Sequence, residues 1–191
     1  MGWSQLIKKE ILSIPKIAII GSHPTLLPKY RGRAPIPWTI LKGLKKSGLT
    51  FFYMDENADT GDILDQREFA ICDNEDAMSL YEKITNLGKI MILDNLKLIK
   101  DGNAKRIIQN NTIPTEFWPK PSPEDGKITW SQNGRIIHAL IRATTHPYPG
   151  AFSFLYNSKL KIWKAKFIDE TTVGAGRISE ITKNGVKVGT G

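Results

Sequence analysis

His23 and Asp59, 36 residues apart, are the two side chains in this sequence best suited to act together on a reactant. An imidazole can donate a hydrogen bond to an oxygen that gains negative charge. A nearby carboxylate can orient that ring or take a proton from an attacking nucleophile. The chemistry would be that of a proton shuttle or an oxyanion site. Pairs of this kind also cap helices or meet at surfaces, so the residues around them must decide.

Those surroundings alternate in type. An apolar strand, Ile17–Ile20, runs into the polar turn Gly21–Thr25 and then Leu26-Leu27-Pro28. A basic glycine turn (Lys29–Arg33) follows, then a helix opened by Pro35 and closed near Gly48. Next come a second strand, Leu49–Met54, and the acidic turn Asp55–Asp62. Strand, helix and strand in this order predict a βαβ unit with parallel strands. Parallel sheets carry their sites at the carboxyl ends of strands, which is where His23 and Asp59 would fall.

The run His23-Pro24-Thr25-Leu26-Leu27-Pro28, followed by Tyr30-Arg31-Gly32 and later by Asp59-Thr60-Gly61-Asp62-Ile63, resembles the signature of the 10-formyltetrahydrofolate-dependent formyltransferases. The resemblance implies an α/β fold: a partial Rossmann-like formyltransferase domain followed by a small, incomplete OB-like β-barrel domain. It also implies transfer of a formyl group from 10-formyltetrahydrofolate to a primary amine, with His23 and Asp59 as the catalytic residues. The folate pocket would take Leu26, Leu27 and Pro28 from one turn, and Asp55 and Asn57 from the other. The family pattern has an asparagine two residues before the histidine. Here that position is Gly21, and in extended backbone the adjacent Ser22 would face away from His23. The amide role is therefore unassigned.

For the acceptor, Arg31 and Arg33 could clamp a diphosphate through bidentate guanidinium contacts. The stretch Lys29–Pro35 with Trp38, and His146–Phe152, resemble the enzymes that act on nucleotide-linked amino sugars, so such a sugar is the expected acceptor. Charged tRNA, as in methionyl-tRNA formyltransferase, is the alternative. A catalytically impaired fragment or binding module is the third reading. The family pattern places further βα units before Met1 and more barrel after Gly191, so the resemblance implies a chain truncated at both ends.

Composition bounds the rest. The 191 residues are 40% hydrophobic and 24% charged, as in ordinary globular proteins. No apolar run approaches a membrane span, and the first residues lack the pattern of a secretory signal, so a cytoplasmic location is the default. The single cysteine, Cys72, excludes an internal disulfide. Three histidines without ligand spacing predict no metal site. The net charge of +8 suits a phosphate-bearing partner, although the lysines are scattered.

Taken in order, the chain predicts a helix over Ser4–Ile14 and a strand over Asp62–Ile71. A long helix over Asp76–Lys100 carries an apolar stripe from Met78 to Leu98 that reads as core. The proline-rich stretch Asn110–Lys127 reads as a linker, dividing residues 1–110 from a second domain at 128–191. That second domain should hold a short helix, Gly134–Ala143. Four strands should follow, over Ala151–Tyr156, Lys159–Ile168, Gly176–Thr182 and Val186–Gly189.

Overall fold

The computed structural model describes residues 5–110, 112–170 and 173–191. The predicted first helix shrinks to one turn, α1 (Lys9–Leu12), with no buried residue. Its expected start at Ser4 lies outside the described residues. Strand β1 (Ile20–His23) begins where the predicted strand ends and takes in His23 itself. A two-residue strand, β2 (Arg31–Gly32), leads to α2 (Pro35–Leu41). Then come β3 (Lys46–Tyr53) and β4 (Ile63–Ala70).

These strands form a sheet of order β1-β3-β4. Both pairings are antiparallel, His23 facing Thr50 and Ile20 facing Tyr53. The expected parallel βαβ unit is therefore wrong. The seven residues of α2 span about 10 Å, well under half of the roughly 27 Å of β3, so the helix cannot carry the chain back along the strand. The chain instead folds over β3. Thr50 Oγ1 donates to the Thr25 carbonyl at 2.7 Å and accepts from Leu27 N at 3.3 Å. Gln66 Nε2 donates to Thr50 Oγ1 and to the Leu27 carbonyl.

Alternation along the strands sorts the side chains onto two faces. Leu49, Phe51 and Leu64 face one way, onto Ile36 and Ile40 of α2 and onto the long helix α3 (Ala77–Lys100), which supplies Leu80, Ile84 and Met91. Burying each such side chain stabilises the fold by about 1.5–3 kcal/mol. A register shift in the β3–β4 pairing between Phe51 and Phe52 puts Phe52 and Ile63 on the other face, with Leu27 and Met54.

Helix α3 starts on a capping box, Asp76 and Ser79 each accepting from the other's backbone N–H. The broad apolar stripe expected along it is core only in part. Leu80, Ile84 and Met91 are buried, whereas Met78, Tyr81, Ile90, Leu96 and Leu98 are exposed and Leu93 is 75% exposed. A sheet on one side covers only a narrow stripe of a helix.

The stretch expected as a linker is built into the structure. Strand β5 (Phe117–Trp118) pairs in parallel with β2, and Trp38 Nε1 donates to the Pro119 carbonyl. A 3-10 turn, Pro123–Gly126, precedes α4 (Gly134–Thr144). Ile137 and Ile141 of α4 pack on Ile128 and Ala151. Ala143, from the same helix, joins the first core, and Arg142 Nη1 donates to the Glu75 carbonyl.

The last segments are two antiparallel hairpins. One is β6 (Ala151–Leu155) with β7 (Ser158–Ile162); the other is β8 (Ile178–Thr182) with β9 (Gly185–Val188). Among the described residues they form separate two-stranded sheets and no closed barrel, in keeping with the incomplete barrel domain expected. No described helix is long and apolar enough to cross a membrane.

Candidate active site

His23 ends β1 on the face that Phe52 and Thr50 share, and it is buried. Its Nε2 lies 2.9 Å from the Tyr30 carbonyl oxygen. A carbonyl can only accept, so Nε2 carries a proton and Nδ1 is the nitrogen left to work. Nδ1 stands 3.7 Å from Asp59 Oδ2. The same carboxylate oxygen accepts from Gly32 N at 3.0 Å. The pair predicted across 36 residues is thus brought together, by a loop that folds back over an antiparallel sheet.

The backbone that delivers these groups is unusual. Tyr30 has φ 60 and Asp59 φ 57, left-handed conformations that non-glycine residues seldom adopt. Gly32 has φ 109, and a Cβ there would run into the Trp118 carbonyl. Only glycine lets β2 lie close enough to β5 for its N–H to reach Asp59. Tyr30 stacks on Trp118 with ring centroids 4.6 Å apart, which fixes the carbonyl that holds His23. Asp55 ties its own turn, accepting from Thr60 Oγ1 at 2.7 Å and Asn57 N at 3.0 Å.

The other predicted residues part company. Arg31 is 7% exposed and its Nη2 donates to Gln109 Oε1 at 2.6 Å, whereas Arg33 is exposed. The two guanidinium groups lie in different environments, one in the interior and one on the surface. Leu27 is buried against Phe52 and Ile63, Pro28 is buried, and Leu26 lies over Gly48. Asn57 is exposed.

Gly21 sits on the same side of β1 as His23, and a Cβ there would meet Phe52 Cζ at 2.7 Å and Met54 Cγ at 3.0 Å. The Phe52 ring therefore fills the space that a side chain at position 21 would need. Beside the site, an open groove of about 510 Å3 is lined by Lys29, Tyr30, Ile113, Pro114, Thr115 and Glu116. Lys42 bonds Glu116 there and holds its carboxyl below the usual carboxylate range.

One residue of the site escaped the sequence. Gln109, 4% exposed, donates from Nε2 to the Asp59 carbonyl at 2.9 Å and the Gly61 carbonyl at 2.7 Å, while accepting from Arg31. It lies just before a proline-rich stretch, and nothing in its local pattern marks it. Among the described residues, no group of three or more His, Cys, Asp or Glu side chains could hold a metal ion.

Comparison with known proteins agrees with this architecture. Residues 1–96 match the formyl transferase family, and residues 120–191 match the formyl transferase C-terminal domain. The chain is 40% identical over 191 residues to methionyl-tRNA formyltransferase of Clostridioides difficile, covering 100% of itself and 61% of that protein. It thus spans about three fifths of the length of such relatives. Among solved structures, it is similar to an N-formyltransferase from Helicobacter canadensis in complex with folinic acid and dTDP-3-aminofucose. That match has a TM-score of 0.71 and 25% identity, covering 90% of this chain and 62% of that one. HypX from Aquifex aeolicus, in complex with tetrahydrofolic acid, shares the fold at TM-score 0.81 and 23% identity, covering 98% of this chain and 32% of that one.

Proposed function

Because this chain belongs to the formyl transferase family, we propose that it carries the catalytic face of an enzyme moving a formyl group from 10-formyltetrahydrofolate to a primary amine. The observation that carries the reading is the buried His23 with Nδ1 3.7 Å from Asp59 Oδ2. The donor supplies an activated formyl carbon. The chain supplies the proton handling around it. The amine nitrogen bonds to the formyl carbon as that carbon's bond to the folate nitrogen breaks; Asp59 Oδ2, steadied by Gly32 N, takes the proton that the amine releases, and the departing folate nitrogen regains one. His23 keeps its Nε2 proton on the Tyr30 carbonyl, which leaves Nδ1, 3.7 Å from Asp59 Oδ2, as the ring nitrogen that meets the reacting groups and relays the proton that Asp59 takes. On this reading the partly exposed Leu26 and the exposed Asn57 meet the donor, while Leu27 and Pro28, in the same turn as Leu26, are buried.

For the acceptor, charged tRNA is the better-supported reading and a nucleotide amino sugar the second. A diphosphate clamp needs both Arg31 and Arg33 at the surface, and Arg31 is buried. The β6–β7 hairpin carries exposed lysines against aromatic rings, Lys159 Nζ 3.6 Å from the Phe152 centroid and Lys161 Nζ 5.6 Å from that of Trp163. Such a surface suits a polyanion. The relatives found by sequence, up to 40% identical to this chain, are named as methionyl-tRNA formyltransferases.

The test is formyl transfer by the full-length protein to charged initiator tRNA and to a nucleotide amino sugar, at low and high salt. Transfer to neither acceptor would refute the reaction. A higher kcat/KM for the sugar, insensitive to salt, would overturn the tRNA reading and leave the reaction standing.

A further inference from the structure

We propose that Gln109 is a positioning residue that sets the separation of His23 and Asp59; its kinetic consequence rests on the formyl-transfer reading above. The two reactive groups hang from two different backbone segments. Residues 30–32 hold His23 through the Tyr30 carbonyl and Asp59 through Gly32 N, and the turn at 55–62 carries Asp59. Gly32 N ties the first segment to the Asp59 side chain, but not to the backbone of the turn that carries it. Gln109 spans them. Its Oε1 takes Arg31, the residue between Tyr30 and Gly32, and its Nε2 takes the carbonyls on either side of Thr60.

The geometry uses the whole carboxamide. One oxygen accepts from the first segment and two N–H bonds go to the second, which no other side chain of this size can do. The residue is delivered by reciprocal backbone bonds between Ile63 and Ile107, at 2.7 and 2.9 Å, which pin the chain two residues before it. Asp59 is held at φ 57, and its carbonyl is one of the two that Gln109 grips. Removing the grip lets this left-handed residue relax and carry its carboxylate away from His23. A buried amide that merely filled space would be replaceable by an isostere. One that positions through its donors would not.

The test compares Gln109→Glu and Gln109→Ala with the wild type in the full-length protein. Glutamate keeps the shape and the acceptor for Arg31 but loses both donors. Folded forms of both variants should lose about tenfold to a hundredfold in kcat, with the acceptor KM within about twofold. The imidazole NMR signals of His23 should shift in both, while those of His138 and His146 stay in place. A folded Gln109→Glu variant with wild-type kcat, or with unmoved His23 signals, would overturn the proposal. If the wild type transfers no formyl group, the functional reading fails on its own, and the His23 signals still decide the role of Gln109.

Discussion

The sheet face around His23 and the β6–β7 hairpin treat charge in opposite ways. Around His23 the ionisable groups are withdrawn from solvent and held through the backbone: Asp59 by Gly32 N, His23 by the Tyr30 carbonyl. On the hairpin, Lys159 and Lys161 are exposed and rest against aromatic rings, and Tyr156 at the turn is 94% exposed. Even the histidines follow the contrast. His146 is exposed and stacked on Trp163 with centroids 4.1 Å apart. A reaction needs groups fixed to fractions of an ångström, which buried hydrogen bonds supply. Contact with a large, flexible anion needs accessible cations on adaptable stems, which exposed lysines supply.

If that division is right, the largest effects on turnover come from the buried face. His23→Ala and Asp59→Asn should each lower kcat by on the order of a hundredfold or more. Lys159→Ala with Lys161→Ala should leave kcat unchanged and weaken tRNA binding, with a shallower salt dependence. Steady-state kinetics at two ionic strengths would read both. A hairpin variant that lost turnover as His23→Ala does would erase the distinction.

The next effect is on stability. Gly21→Asn must displace the Phe52 ring, which Leu27 and Ile63 confine, so it should destabilise the fold by about 1–3 kcal/mol. Adding Phe52→Leu should recover part of the loss in a urea melt. An unchanged midpoint for Gly21→Asn alone would mean that this face is looser than the hydrogen bonds require.

The smallest effect lies in the second region. Burial first, then the Arg142 cation, pushes His138 below the ordinary imidazole value of 6.5, with a backbone bond to Ala165 opposing. Between the lowered folded value and 6.5 the unfolded chain binds more protons than the folded one. The contribution to stability is therefore complete above 6.5 and is lost as the pH falls from there toward the folded value. His138→Gln should flatten that decline below about pH 6.5 in denaturant midpoints. An identical decline in the variant would place the titrating group elsewhere.

The sequence by itself determined a good deal. It located α3 and α4 to within a residue, because the pattern of apolar side chains along a helix is a local property. It found the hairpin strands, with ends displaced by a few residues, and it singled out His23 and Asp59. Its other inferences depended on distance. Strand direction, the depth of Arg31 and the space beside Gly21 are set by contacts between residues far apart in the chain. Arg31 meets Gln109 across 78 residues and Gln109 meets Asp59 across 50. A guanidinium in a glycine turn reads as a surface group until a carboxamide from elsewhere makes its burial affordable. The stripe on α3 reads as core until the sheet covers only part of it. Local chemistry decides which elements form. Which of their groups meet is decided by packing, since a buried polar atom must find its partner wherever the fold brings one.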